Sequence, residues 1–535
     1  MAATARRGGR RAAKRNPWRI ARRITQAAFL LLFLYLLLWT RQGAARLPAH
    51  SLFFRLDPLA GLAAMLAARR PIAGLALGLL TLALTLVAGR AWCGWICPLG
   101  TLLDLTPGRR TRGAQGPGAG WRPAKYGILA AVVLGGLAGS ITLMVLDPIA
   151  LLTRALASFV LPLADAAIHA IERALMNVAP LQNGVLAFDD WLRGGLLPVQ
   201  PAFVVANTVV GVLLVLVLAA NAIERRFWCR YLCPLGGLLG LISRVSLFRH
   251  QVDREACVRC GRCADLCPTG AIDPASAYRA DSAECIACME CPAVCPTGAI
   301  AFPGRPIAAD PMPYDPTRRQ ALTLAGAAVA GVGLLQLARA LHLPDRWLVR
   351  PPGATETTMN QCVRCGECLK VCPTGVLQPS LARAGIEGLW TPVLATRQGY
   401  CDYGCNSCGQ VCPTGAIPRL DLETKRELVL GVAVVDQSRC LAWADLQQCI
   451  VCEEMCPVPD KAIELDDISV LDASGQGVLV RRPVVHAARC IGCGACEWHC
   501  PVEGVSAIRV EYSDKAGQPR GGAGQGRGRH RGQGG

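Results

Sequence analysis

Apolar positions fall into long uncharged blocks in the first half of the chain and into short blocks broken by cysteines in the second. Four blocks, roughly 24–40, 71–89, 125–146 and 201–222, approach the ~20 residues a helix needs to cross a bilayer. A fifth, Ala/Gly-rich block at 321–341 follows Arg318 and Arg319. It reads as a further span or as an internal twin-arginine export signal. A buried helix of a soluble domain is the competing reading.

The blocks form a repeat. "RLDPLA" with Asp57 follows the first block, and "VLDPIA" with Asp147 follows the third. The second and fourth blocks each end in a cysteine pair before proline, "RAWCGWICPLG" with Cys93 and Cys97 and "RFWCRYLCPLG" with Cys229 and Cys233. The i, i+4 spacing predicts that each pair shares one helix face. The second repeat carries a long outer insertion near 150–200, with His169 and Glu172 on a helical-looking stretch.

Charge orients this picture. The 535 residues carry a net charge of +18. Its densest part is the stretch before residue 24, where Arg6, Arg7, Arg10, Arg11, Lys14, Arg15, Arg19, Arg22 and Arg23 meet no acid. Standing before an apolar block, such a stretch predicts a cytoplasmic N-terminus more than nucleic-acid binding. A cleavable signal peptide is disfavoured, since no small-residue cleavage pattern follows and the block ends in Trp39. Both cysteine–proline pairs then face the cytoplasm. Arg69 and Arg70, on the predicted outer side, run against the rule.

Past Ser246 cysteine dominates. The run C-x2-C-x2-C-x3-C-P holds [4Fe–4S] clusters in ferredoxins, three thiolates on one cluster and the fourth reaching the other. It occurs as Cys257, Cys260, Cys263, Cys267; Cys285, Cys288, Cys291, Cys295; Cys362, Cys365, Cys368, Cys372; and Cys490, Cys493, Cys496, Cys500. Two stretched versions are Cys401, Cys405, Cys408, Cys412 and Cys440, Cys449, Cys452, Cys456. These 24 cysteines, as iron ligands, imply six [4Fe–4S] clusters. Zinc modules space their C-x2-C pairs more widely, and disulfides would not group thiols in fours. In the first pair of runs Cys257, Cys260 and Cys263 would share a cluster with Cys295, and Cys285, Cys288 and Cys291 with Cys267. In the later four, neighbours pair, or the first pairs with the fourth and the second with the third.

Other chemistries are missing. No C-x-x-C-H haem motif, dinucleotide fingerprint or P-loop is present. The seven histidines, His50, His169, His250, His342, His486, His499 and His530, lie outside the four central blocks, so paired haem ligands are absent there.

The chain to residue 305, with its doubled "CPLG" motifs and the runs at 257 and 285, resembles the NapH/MauN family of membrane ferredoxin-type proteins. Residues 310–511, with the twin arginine and four cysteine groups, resemble the NapG/MauM family. The resemblance implies a quinol dehydrogenase module in the bacterial inner membrane. It would take electrons from membrane quinol and pass them to a periplasmic redox enzyme or cytochrome of the nitrate reductase or methylamine-utilisation type, with no nucleic acid involved. His169, Asp147 and Asp57 are candidate acceptors of quinol protons, although the LDP turns serve equally as helix caps. Cys93, Cys97, Cys229 and Cys233 are candidates for an extra metal centre, a redox dithiol set or a docking element. A maturation or metal-reducing factor for a copper or other respiratory enzyme is the alternative function.

The expected fold is multi-domain: a polytopic α-helical membrane domain of four spans plus a fifth, with ferredoxin-like α+β iron–sulfur domains. Expected boundaries are 1–23 (basic cytoplasmic N-terminus), 24–245 (membrane domain), 246–305 (cytoplasmic two-cluster domain), 306–345 (twin-arginine-like fifth span), 346–511 (periplasmic four-cluster domain) and 512–535 (disordered Gly/Arg-rich tail).

Overall fold

The computed structural model describes residues 17–40, 51–106, 108, 119–195, 207–304, 318–341, 345, 347–381, 383–471 and 477–520. His50, His342, His530 and the basic stretch before residue 17 lie outside them, as do residues 521–535 of the expected tail.

Three described helices are long and apolar enough to cross a membrane: Pro17–Trp39, Pro148–Leu175 and Arg319–Leu341. The first and last contain the blocks at 24–40 and 321–341. The middle one falls in the insertion near 150–200 that carries the helical-looking stretch; it is one 28-residue run, carried past Pro162 by a π-turn over Leu156–Val160. Proline at the second position of the following segment fits there because the widened turn leaves its missing N–H without a required partner. The other expected spans are shorter helices, Ala73–Ala88, Ala124–Leu137 and Thr208–Ala222. The block at 125–146 breaks after Leu137, where Gly139 takes φ +78° and the chain turns back through the 3-10 turn Thr142–Leu146.

Both LDP motifs lie on chain that folds back into the bundle. Phe53 stacks edge-on against Phe33 of the first helix with ring centres 5.2 Å apart, and Thr81 Oγ1 donates to Leu56 O at 2.6 Å. Each aspartate caps the helix begun by its proline. Asp57 Oδ1 accepts from Leu59 N (2.8 Å) and Ala60 N (3.2 Å), and Asp147 Oδ2 accepts from Ile149 N (3.0 Å) and Ala150 N (2.9 Å).

The ferredoxin-type parts are built from short helices and two-stranded antiparallel sheets. Gln251–Val252 pairs with Ile300–Ala301 and Ile272–Asp273 with Arg279–Ala280 in the first; Leu377–Pro379 pairs with Pro392–Leu394 and Val432–Val435 with Ile508–Glu511 in the second. A nine-residue hairpin, Ile463–Leu471 with Gly477–Val485, extends the second. Part of the segment expected to be disordered is tied down: Val429 N donates to Gln518 O at 3.0 Å and Arg520 N to Glu427 O at 2.8 Å.

The two parts sit at opposite ends of the helical bundle. Near the start of the first helix, Arg22 reaches Gly94 O (3.1 Å), Asp104 and Glu290 (3.4 Å). Beyond its end, Thr40 Oγ1 donates to Glu367 at 3.1 Å, and Lys370 donates to Leu37 O. Arg22 and Leu37 are separated by roughly 22 Å at 1.5 Å per residue, about three quarters of the ~30 Å hydrocarbon core of a bilayer. The helix Arg318–Leu341 runs the same way beside Ala124–Leu137. Leu324 touches Gly127, Ala328 packs on Ala131, and Gln336 Nε2 reaches Ala138 O at 3.4 Å. It therefore starts at the end holding 246–304 and finishes at the end holding 345–520.

Buried charges lock the first of these ends. Asp104 accepts from Arg226 Nε at 2.8 Å, from Gln26 at 2.9 Å and from Arg22. Removing one member of such a set strands the others without a partner. Asp104→Ala is expected to lower stability by about 3–5 kcal/mol, read as a lower melting temperature in detergent; an unchanged melt would show that Asp104 is dispensable.

Candidate iron–sulfur sites

The cysteine runs fold into loops by backbone conformation. In the run at 257, Arg259 (φ +51°) and Gly261 (φ +75°) are left-handed; at 285, Ala287 (+48°) and Met289 (+56°); at 362, Arg364 (+59°) and Gly366 (+82°); at 490, Gly492 (+70°) and Gly494 (+83°). A left-handed residue on each side of the second cysteine curls the loop so that three thiols face one cavity. Glycine is required at 492, where a methyl group would sit 2.3 Å from Gly431 O. The fourth cysteine precedes proline and is extended, with ψ 115° at Cys267, Cys295 and Cys412 and 122° at Cys500. A residue before proline avoids helix, so the short helix stops and the fourth thiol turns to the neighbouring cavity.

Four cavities show the result. One of about 350 Å³ is lined by Cys257, Cys260, Cys263 and Cys295, and one of about 370 Å³ by Cys267, Cys285, Cys288 and Cys291, with Cys263 at its edge. One of about 420 Å³ is lined by Cys362, Cys365, Cys368 and Cys412, and one of about 390 Å³ by Cys440, Cys449, Cys452 and Cys500. Cys408 lies within electrostatic reach of Cys372, Cys401 and Cys405, and Cys496 of Cys456, Cys490 and Cys493. The runs at 362 and 401 thus exchange fourth cysteines, as do those at 440 and 490. Of the two arrangements the spacing left open, the molecule has neighbours paired.

The donor set fits iron–sulfur chemistry. All 28 cysteines are free thiols. Among the described residues no three Cys, His, Asp or Glu side chains converge closely enough for a single ion, whereas a cubane holds its ligands at four separated corners. Backbone N–H groups already point at sulfur: Ala271 N to Cys267 Sγ at 3.2 Å, Ala299 N to Cys295 Sγ at 3.3 Å and Ile417 N to Cys412 Sγ at 3.4 Å. Such bonds tune cluster potentials. Burial, with neighbouring thiols adding to it, pushes Cys285 and Cys452 up to about 12 and Cys288 up to about 11. These three thiols are therefore neutral in the bare sites, and iron would bind them with release of protons.

The four membrane-domain cysteines are placed differently from expectation. Cys93 lies in a π-turn, Trp92–Ile96, and Cys229 in the helix Phe227–Tyr231. Cys97 (ψ 119°) and Cys233 (ψ 110°) are junction residues, because Pro98 and Pro234 each begin a new helix. Neither pair shares one continuous helix face. All four are nonetheless buried in a single core with Trp92 and Trp228.

Asp57 and Asp147 come together. Their carboxyl groups are fully buried and within hydrogen-bonding range of each other, and Asp57 Oδ2 and Asp147 Oδ1 have no other partner. They cap helices and also meet across the repeat. His169 is elsewhere: its ring lies 2.7 Å from Arg193 Nη2 and 3.4 Å from Glu172, with buried Asp165 close by.

Several functional groups escaped the sequence reading. Fully buried Arg226 donates to Cys93 O (2.8 Å) and Gly100 O (3.1 Å), while Arg90, equally buried, donates to Ala283 O (2.8 Å) and approaches Cys229 O (3.5 Å). Their signal was present, since both quoted motifs open with arginine two residues before Trp-Cys. His250 lines the same cavity as Cys285 without a hydrogen bond to either ring nitrogen. Burial holds it down to about 4, so it stays neutral.

Cysteine quartets of this loop geometry, in a chain that also carries membrane-length apolar helices, define an iron–sulfur electron-transfer protein of the ferredoxin type. Family models described as 4Fe-4S binding domains match residues 71–114 and 206–254, and 250–273, 357–378 and 483–506. The chain is 37% identical over 211 residues to the methylamine utilization ferredoxin-type protein MauM of Methylorubrum extorquens, an alignment covering 37% of this chain and 90% of that protein. It is 36% identical over 196 residues to the ferredoxin-type protein NapG of Escherichia coli, covering 35% and 80%. A putative electron transport protein of the same organism, YccM, is 28% identical over 193 residues, covering 35% and 43%. The chain belongs to the MauM/NapG family of ferredoxin-type proteins. No solved structure matches it.

The exchanged fourth cysteine makes iron loss non-additive. Cys365→Ser and Cys412→Ser should each cost about four iron atoms, and the double variant also about four. Cys405→Ser with Cys412→Ser should cost about eight. Eight lost from the first double variant would show that Cys412 serves the run at 401 instead.

Proposed function

We propose that this chain is a quinol dehydrogenase module in one polypeptide, with a NapH/MauN-like membrane half joined to a NapG/MauM-like half, carrying electrons from membrane quinol to a periplasmic redox enzyme or cytochrome. The observation that carries the reading is the order of the cysteine quartets. The ligands at 362, 365, 368 and 412 lie against the bundle, where Arg364 donates to Ile141 O at 2.8 Å and Thr142 Oγ1 at 3.1 Å. The 401 quartet follows, then the 490 quartet, joined by a Cys401 N to Cys493 O bond of 2.7 Å. The 440 quartet stands at the far end, bordered by exposed Ile450 and Val505. Six [4Fe–4S] clusters, when bound, would supply one-electron carriers at successive stations.

On this reading residues 246–304 face the cytoplasm and 345–520 the periplasm, in keeping with a basic N-terminus inside. The Asp57–Asp147 pair is the candidate acceptor of quinol protons. Two carboxyl oxygens that face each other without another donor need a proton between them, the arrangement of acid–base carboxyl dyads. His169, held by Arg193 and Glu172, is a weaker candidate. A maturation or metal-reducing role would leave the outward row of four quartets without a purpose.

Quinol added to the loaded protein in detergent should reduce it, seen as cluster signals in electron paramagnetic resonance. Asp57→Asn with Asp147→Asn should slow this about 100-fold while reduction by dithionite is unaffected. Failure of every quinol tested to reduce the wild type would end the dehydrogenase reading.

A further inference from the structure

We propose that the hairpin formed by Leu161–Leu175 and Gln182–Gly195 lies in the surface layer of the bilayer on the side that holds 345–520, with lipid covering its apolar face. This placement rests on the bundle spanning a membrane and not on quinol as the electron donor.

The hairpin is polar within and apolar without. On Leu161–Leu175 the exposed positions are Leu163, Ile171, Leu175 and five alanines, with Arg173 the one charge among them. The acids of that helix face the other way, since Asp165 and Glu172 are buried. Gln182–Gly195 supplies the answering charge from its inner side: Arg193 stands 2.5 Å from Asp189, 3.4 Å from Asp165 and 2.7 Å from His169. Its outer side shows Leu186 (53% exposed), Phe188 (49%) and Trp191 (64%). A helix on the surface of a water-soluble protein has the opposite arrangement, apolar inward and polar outward. Charges paired in the interior and apolar groups outside are the pattern of chain immersed in lipid.

The two helices also lack what holds helices together in water. Isolated helices of up to about 15 residues are marginal and gain their stability by packing an apolar face against something. Among the described residues of the hairpin, Leu192 is the one apolar side chain that is buried. The cover for the outer face must therefore come from beyond the chain, and an exposed apolar patch of this kind marks a contact with another protein or a membrane.

Position selects the membrane. The helix Pro148–Leu175 starts inside the bundle beside fully buried Asp147, and by Arg154 it has reached the second ferredoxin-type part, where Arg154 Nη1 donates to Arg364 O at 3.4 Å. Its next turn is held from both sides. Phe159 lies against the bundle, where a methyl on Gly211 would sit 2.4 Å from its ring, while Leu156–Val160 packs on Glu367–Lys370. A helix pinned between those two layers leaves the bundle at the level of the membrane surface. Residues enough to cross a bilayer are thus used to run along it. Phe188 and Trp191, with ring centres 6.0 Å apart, are residue types that seat interfacial helices, and exposed Arg173 offers a cation to lipid phosphate. Because Glu367–Lys370 includes Cys368, such an anchor fixes the height of the 362 quartet above the lipid.

A photo-crosslinker reads the neighbour directly. p-Benzoylphenylalanine is placed in the full chain at Trp191, or at Leu334 of Arg318–Leu341 or Val258 of the first ferredoxin-type part, both exposed, and each chain is irradiated in native membranes. Mass spectrometry should find phospholipid attached at position 191 in a yield comparable to that at 334, with none at 258. A protein adduct at 191, whether to another subunit or to a second copy of this chain, would overturn the proposal, as would a lipid yield no higher than at 258. The same label at Phe188 gives the same outcomes should the Trp191 chain fail to accumulate. Absence of lipid at 334 as well would overturn the membrane reading itself, and the hairpin's place with it.

Discussion

Two arginines that never see water hold this molecule together. A guanidinium buried in an apolar bundle is tolerated only when its donors are matched by carbonyls and carboxylates. Arg226, and Arg90 at all but its Nε, find those partners across the repeat boundary: the carbonyl of the opposite cysteine, and Glu284 or Asp104. Neither repeat can satisfy its own arginine. The fold of one half is therefore a condition for the fold of the other, and Glu284 extends that condition to the first ferredoxin-type domain. Lys125 joins the same carboxylate, so a membrane helix, a cysteine–proline motif and a cluster loop depend on one set of charges.

The ferredoxin-type parts use a different economy. Their sheets are two strands wide and their helices are mostly a turn or two, too little to build a large core. Cysteines stand where core residues would, as in the cluster of Cys452, Cys456, Cys490, Cys493 and Cys496 with Ile491 and Ile508. Metal binding in such small modules supplies much of the folding free energy. Exchange of the fourth cysteine between adjacent runs adds a crosslink through each pair, so neighbouring stations are held at fixed separation by the same residues that ligate them.

Much of this was legible in the chain. The spacing C-x2-C-x2-C-x3-C-P speaks directly because loop geometry and cluster geometry are both local, and the first pairing, Cys263 with Cys295 and Cys291 with Cys267, matches the cavities found. The pairing among the later runs depends on which loops meet in space, and spacing alone carries no such information. Hydropathy located the apolar blocks but not their breaks. Gly139 and the turn Thr142–Leu146 cut 125–146 short, while Leu161, Pro162 and the polar stripe of Asp165, His169 and Glu172 hid the continuity of Pro148–Leu175. The helical spacing of Cys93 and Cys97 misled for a related reason: proline after the second cysteine ends the helix on which the argument relied. Asp57 and Asp147, read one by one as helix caps or as candidate acceptors of quinol protons, meet only because the two repeats face one another.

The helix Arg318–Leu341 has a kinetic meaning beyond its contacts. A membrane subunit and a separate soluble carrier find each other by diffusion, at a rate set by how much of each a cell makes. On the proposed reading a covalent strut, clamped to Ala124–Leu137 by Ala328 and Val332, replaces that encounter with a permanent effective concentration. Traffic between the two halves would then be first order. Expression level would then govern how many complete circuits a cell owns, and dilution would slow none of them.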